Sequence, residues 1–334
     1  MISRVGLFLF SISLMALLQA GCGNSDSEPG KILSQPPFAA LADSIKKEPD
    51  NPRHYLARAI LLSQNNHHEL ATPDYYKAWQ LSSDEAVALE YISNLLLVNR
   101  TGDALSFLDE CRKKFPDNLE FGRRLSEIYA QLGKRKEALA EYDKILEQDS
   151  LNFMAWYEKG LLLVKLNDTA AAIEALEKSY SIQPVNYTGL ALANIYSSQE
   201  NPRVLAICDD ILQRDSTGEV SDALLLKGIF FSDKKDFAKA LSLFEECIKR
   251  DWKFIQAYLE KGIVYFKQKD YPKALETFQM ATTVSSTNGD AYYWLGRVYE
   301  ETNDKKQAIE NYERAYSLDK TIIEAQEALD RLDK

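Results

Sequence analysis

Three glycines set the terms for any fold of this chain. Gly228, Gly262 and Gly296 stand 34 residues apart, and Ala240, Ala274 and Ala308, like Phe244, Phe278 and Tyr312, keep the same interval. Toward the N terminus, Gly160 with Ala172 and Ser126 with Ala138 continue both small-residue rows. A period of this length marks a repeated supersecondary unit, and every other expectation has to fit it. Counted from the first residue of each unit, the starts fall at 52, 85, 119, 153, 187, 221, 255 and 289, giving eight units over residues 52–322. Positions 4, 7, 8 and 11 of a unit share one face of a first helix, and positions 20, 24 and 27 share one face of a second. A small residue at 8 opposite Ala at 20 lets the two helices approach closely, and a large side chain at 11 or 24 fills the space beside them. One short hairpin cannot bury its own apolar face, so neighbouring units must stack.

The last unit supplies Tyr292, Leu295, Gly296, Tyr299, Ala308, Tyr312 and Ala315. This arrangement resembles the W-x2-L-G-x2-Y…A-x3-F…A…P signature of the tetratricopeptide repeat, lacking only the final Pro. Trp156 and Pro184 occupy signature places in the fourth unit; Ala71, Tyr75 and Ala78 define the first, and Ala104, Leu108 and Pro116 the second. The resemblance implies an all-α, right-handed superhelical solenoid of antiparallel helix pairs. Capping helices are expected at 36–51, around Leu41 and Pro49, and at 321–334, with an apolar face of Ile323, Ala325, Ala328, Leu329 and Leu332. The unit near 187 departs most. Ala193 and Tyr196 sit one place early, the second helix carries Val204 and Cys208, and the stretch DSTGEVS after it is long.

Before the repeats comes an address. Residues 1–21 place Arg4 ahead of an apolar run from Val5 to Leu18 and end in Ala20 and Gly21, which reads as a secretory signal. Cys22 directly after them resembles the bacterial lipoprotein lipobox, with Gln19 where Leu is preferred. The resemblance implies cleavage before Cys22 and acylation of its thiol; the alternative is a plain cleaved signal with Cys22 incidental. The remainder of 22–35, GNSDSEPGKILSQ after the Cys, has few large apolar groups and reads as a flexible tether with a reach of roughly 20 Å. Gly23 in place of Asp favours the outer over the inner membrane under the enterobacterial sorting rule. A bacterial envelope location, periplasmic or surface-exposed, is therefore expected.

Charge narrows the partners. With 40 Lys and Arg against 50 Asp and Glu, the net charge of −10 repels phosphate backbones, so nucleic acid is not expected as a partner. Catalytic chemistry is sparse. The only histidines, His54, His67 and His68, lie in the first unit without further ligands at metal spacing, and His67 and His68 read as solvated turn residues. Cys111 and Cys247 hold position 27 and Cys208 a position-24 equivalent, where the repeat needs buried apolar groups. No phosphate loop, nucleophile elbow or His-Glu metal helix appears. Neither a cofactor nor a metal is expected, and the chain reads as a non-enzyme.

In the tetratricopeptide family the first helices line the concave wall, with positions 2, 5, 9 and 12 facing the groove. Carried over residue by residue, those places hold Tyr157, Leu161, Leu190, Asn194, Leu225, Ile229, Leu259, Ile263, Phe266, Tyr293 and Arg297. They form a largely apolar stripe with two polar points, which either receives a peptide or amphipathic helix of a partner protein or packs against the adjoining first helices. The Lys and Asn clamp of relatives that bind acidic C-terminal tails is missing. The functional expectation is a scaffold for assembling an outer-membrane or cell-wall complex. The rival is a surface lipoprotein that binds glycan or another nutrient for a transporter, through Trp156, Tyr157, Tyr292, Tyr293 and Trp294.

Overall fold

The computed structural model describes residues 28–215 and 220–333. The signal segment, Cys22, the start of the tether and residues 216–219 of the stretch after the fifth unit lie outside the described residues. Within them, all nineteen elements are α-helices, in two compact units divided after Ile128.

The first unit holds α1 (Glu28–Leu33), α2 (Ala39–Lys47), α3 (Pro52–Gln64), α4 (His68–Ser82), α5 (Glu85–Leu97), α6 (Thr101–Lys114) and the greater part of α7 (Leu119–Gln131). From α2 to α6 each helix packs on the next in sequence. Two polar ties reinforce these contacts. Arg58 on α3 grips Asp74 on α4 with both ends of its guanidinium, at 2.6 and 2.7 Å, and both side chains are nearly buried. Asn94 on α5 donates to the His68 carbonyl at 3.1 Å and to Thr72 Oγ1 at 2.8 Å, beside Pro73, which has no N–H of its own to offer the α4 ladder.

The second unit holds α8 (Arg135–Gln148), α9 (Phe153–Lys165), α10 (Thr169–Ile182), α11 (Asn186–Ser198), α12 (Arg203–Arg214), α13 (Ser221–Asp233), α14 (Phe237–Arg250), α15 (Ile255–Lys267), α16 (Tyr271–Val284), α17 (Gly289–Glu301), α18 (Lys305–Leu318) and α19 (Ile323–Leu332). Each packs on its successor from α8 to α19, the arrangement of a solenoid.

The small-residue rows explain the pairing. Ala71, Ala104, Ala138, Ala172, Val204, Ala240, Ala274 and Ala308 are all fully buried. Opposite them, a Cβ on Gly160 would fall 2.6 Å from Leu176, and one on Gly296 would fall 2.7 Å from the Tyr312 ring. Nothing larger than hydrogen fits there while the helices stay at this spacing.

The turn between the first and second helix of each repeat uses one backbone device. Asn66, Asn99, Gly133, Asn167, Glu200, Lys235, Lys269 and Asn303 all take left-handed φ, between 50° and 72°. The residue after each donates its N–H to the carbonyl five residues back along the chain. Examples are Asp236 to Phe231 at 2.8 Å, Asp270 to Tyr265 at 2.9 Å and Asp304 to Tyr299 at 2.9 Å. This is the Schellman closure of a helix C terminus, and it satisfies carbonyls that the helix end would leave bare. The side chains of Asp168, Asp236, Asp270 and Asp304 then accept from the backbone N–H three residues on, capping the second helix.

The irregular fifth unit keeps its core by changing its loops. Helix α11 begins at Asn186, one residue before 187, which restores Ala193 and Tyr196 to the buried face. Four residues, Gln199 to Pro202, then lead into α12, whose buried row is Val204, Cys208 and Ile211. At the C terminus the buried row of α19 runs Ile322, Ala325 and Ala328, and Ile323 is 61% exposed. The expected face was one residue out of phase at its start, because Ile322 precedes the helix and already packs against the Tyr312 cluster. At the other end, α2 rests on α3 without fully burying any residue.

Three further contacts join successive repeats across the second unit. Lys159 Nζ reaches Asp143 at 2.6 Å, Lys261 reaches Glu245 at 3.2 Å, and Lys227 pairs with Asp209. Each lysine is at position 7 of a first helix and each acid on the second helix of the preceding repeat, so one ion pair recurs along the stack.

Candidate partner-binding groove

First helices of the second unit also meet one another: α11 meets α13, α13 meets α15 and α15 meets α17. They therefore form the inner row of this stack, and the faces they leave uncovered line a groove.

Ten of the eleven stripe residues are not fully buried. Tyr157, Leu161, Leu190, Leu225, Ile229, Ile263, Phe266, Tyr293 and Arg297 are half-buried, and Asn194 is exposed, its Nδ2 donating to the Leu190 carbonyl at 2.8 Å. Leu259 is the correction. It is 4% exposed and belongs to the cluster of Tyr258, Phe278 and Leu295, so it is core and offers nothing to a partner. Its neighbour in the row, Ile263, is one helical turn further on and stays accessible.

Val164 and Tyr187 add apolar surface, at 41% and 40% exposure. Val164 stands at position 12 of α9 and Tyr187 at position 2 of α11, so the same register that gave positions 5 and 9 could have found them. Tyr187 packs edge-on to Tyr157, with ring centroids 4.6 Å apart, and continues the stripe between repeats. At the other end Phe266 meets Trp294 at 5.5 Å, and the Arg297 guanidinium lies 5.1 Å from the Phe266 ring.

Glu260, at position 6 of α15, is a half-buried acid with no hydrogen bond or ion pair among the described residues. Burial pushes its carboxyl above the ordinary 4.5; Lys267 works against that shift and Asp233 adds to it. Those two pair with each other at 3.7 Å. Sequence periodicity gave no sign of Glu260, because an acid on a helix is usually a solvated one.

The aromatics with a possible part in glycan binding have other contacts. Trp156 donates its indole N–H to the Ser150 carbonyl at 3.0 Å, and Trp294 stacks on Phe278, with 11° between the planes. The histidines are more enclosed than turn residues usually are. His67 and His68 are half-buried, His67 lies edge-on to Phe38 at 5.9 Å, and His54 contacts Glu48 at 3.0 Å. Among the described residues no three His, Cys, Asp or Glu side chains gather as a metal site. Cys111, Cys208 and Cys247 are free thiols with no exposed surface, and burial pushes all three up to about 12. No helix of the described residues is long and apolar enough to cross a membrane.

Comparison with known proteins agrees with this architecture. Family profiles of the tetratricopeptide repeat match residues 254–321 and 123–187. Among solved structures, PilW, a widely conserved type IV pilus biogenesis factor, aligns with a TM-score of 0.54 at 16% identity, covering 65% of this chain and 99% of that one. The C-terminal part of a repeat-containing protein from Cytophaga hutchinsonii aligns at 0.53 and 16% identity, over 72% of this chain and 98% of that one. No curated protein sequence matches significantly. Eight position-20 residues with no exposed surface, the recurring left-handed turn and the two profile matches have one explanation: residues 123–187 and 254–321 are tetratricopeptide repeats, and the chain has the fold of a solenoid of such repeats.

Proposed function

We propose that this protein is a non-catalytic scaffold that holds an extended segment or amphipathic helix of a partner protein in the groove of its second unit. The observation that carries the proposal is the run of half-buried apolar side chains from Tyr157 to Tyr293 on the inner row of helices. Apolar side chains in a concave face, with polar groups at intervals, suit a partner that supplies apolar anchors in a fixed register. The envelope is the proposed site of action, through a signal at 1–21 and acylation of Cys22. Assembly of an outer-membrane or cell-wall complex is the proposed role. Of the proteins that share the fold, PilW serves in pilus biogenesis, and the likeness to it extends to the fold alone.

The test is affinity purification from detergent-solubilised native membranes, comparing the wild type with Cys22→Ala and Ile229→Lys and identifying the captured proteins by mass spectrometry. A defined set of envelope proteins that is lost with Ile229→Lys, while the variant stays folded, supports the scaffold. A set unchanged by Ile229→Lys overturns the groove. Recovery of Cys22→Ala in the soluble fraction, against wild type in membranes, supports the anchor; equal partition of both overturns it.

A further inference from the structure

Arg297 makes no ion pair among the described residues. Its guanidinium is drawn toward three rings, Phe266 at 5.1 Å, Trp294 at 5.4 Å and Tyr293 at 6.0 Å, an arrangement that restrains the side chain by cation–π attraction. Its one hydrogen bond runs from Nη1 to Tyr293 Oη, at 3.3 Å. Glu300, whose carboxyl feels Arg297, is already taken: Arg331 Nη2 donates to its two oxygens at 2.6 and 2.8 Å, and Tyr312 Oη donates at 2.7 Å. By contrast, the enclosed lysines of the other first helices, Lys159, Lys227 and Lys261, each have an acid of the preceding repeat. A guanidinium carries five N–H donors, and one held at the end of an apolar groove is matched by a planar anion.

Resting on the groove reading above, we infer that Arg297 receives the side-chain carboxylate of an Asp or Glu on an otherwise apolar segment of the partner protein. Phe266 and Tyr293 contact the apolar residues that flank the acid. The chain's net charge of −10 selects against a run of acids or a polyphosphate, because long-range repulsion grows with each added negative charge while Arg297 can satisfy one. The two N–H edges of a guanidinium also favour a carboxylate over a single-point acceptor. Arg297 is thus a specificity residue that sets which place along the bound segment must be acidic.

The test uses the full chain and a display library of random 12-residue segments held inside a carrier loop, so that no peptide terminus is free. The library is selected on wild type, Arg297→Gln and Ile229→Lys. Wild type is expected to enrich segments with one Asp or Glu at a fixed place among aliphatic or aromatic residues. Binding of the best segment, made as a peptide blocked at both ends, is expected to fall about tenfold when its acid becomes the amide. On Arg297→Gln the same change in the peptide is expected to make no difference. A consensus without an acid, or an acid whose loss weakens wild type and Arg297→Gln equally, overturns the inference while leaving the groove in place. A consensus that still binds Ile229→Lys, or none at all, overturns the groove reading on which it rests. Because the acid is also removed from the peptide, the result does not depend on the stability of the Arg297 variant.

Discussion

A methyl group placed on Gly262 would stand 2.6 Å from Cζ of Phe278, a ring with no exposed surface. The ring has little room to step aside, because it is buried in a packed cluster and stacked on Trp294. Gly262→Leu is therefore expected to destabilise the protein by about 1 to 3 kcal/mol through overpacking. Gly102→Leu is the control, since nothing lies within 4 Å of a Cβ there. Thermal or urea unfolding of the two variants checks the difference, and hydrogen exchange should show the damage confined to the repeats around α15 and α16.

Leu259 and Ile229 both hold position 5 or 9 of a first helix, yet they should respond differently to charge. Leu259→Lys puts an ammonium into a buried cluster and is expected to lose about 3 kcal/mol or more. Ile229→Lys, half-buried, can extend its stem over the groove and is expected to lose less than about 1 kcal/mol. Melting curves of the two separate core from groove.

Three of the left-handed turns, at Glu200, Lys235 and Lys269, carry residues that do not favour them. Lys269 takes φ 61° with a full side chain. Lys269→Gly relieves that steric conflict but loosens the unfolded chain, for a net gain of roughly 0.5 kcal/mol. Gly133→Ala, at φ 72°, runs the opposite way and is expected to destabilise by about 1 kcal/mol. Equal unfolding midpoints for both variants and the wild type would contradict the assignment of these turns.

Glu260 gives a pH signature. Its folded carboxyl titrates above the ordinary 4.5 because burial disfavours the charge. The native state therefore holds the proton more tightly than the unfolded chain does. The stabilisation this gives is fully present below about pH 4.5 and is lost as pH rises through the folded value. Glu260→Gln stays neutral throughout, so it is expected to melt above wild type at pH 7.5, with the gap closing toward pH 4.5.

The three core thiols should be silent. With Cys22→Ala in place, Cys111, Cys208 and Cys247 are expected to resist a thiol reagent at pH 8 and to react together once guanidinium unfolds the chain. Their values, pushed from 9.0 up to about 12, also predict falling stability above about pH 9, where the unfolded chain releases protons that the fold retains.

Much of the helix order was legible because a 34-residue row of small residues admits few alternatives. Gly228, Gly262, Gly296 and the alanines facing them record where two backbones must touch, and that constraint is local enough to survive in one sequence. The left-handed turn residue was also there to be read, as Asn66, Asn99, Asn167 and Asn303 at one position, but Lys235, Lys269 and Glu200 mask the row. In the fifth unit the early Ala193 and Tyr196 signalled a shift, and the longer link to α12 shows how the chain absorbs it.

The candidate site divides along another line. Sequence alone determined which residues occupy the inner faces of the first helices, because that follows from helical period and repeat register. Only tertiary structure decided that Leu259 is enclosed while Ile263 stays half-exposed, that Glu260 is half-buried with no ion pair among the described residues, and that Arg297 lies among three rings while Glu300 is already bound by Arg331. The physical reason is that exposure and counter-charge depend also on side chains of other helices and neighbouring repeats. A periodic pattern fixes a residue's direction on its own helix, but packing between repeats determines what it meets there.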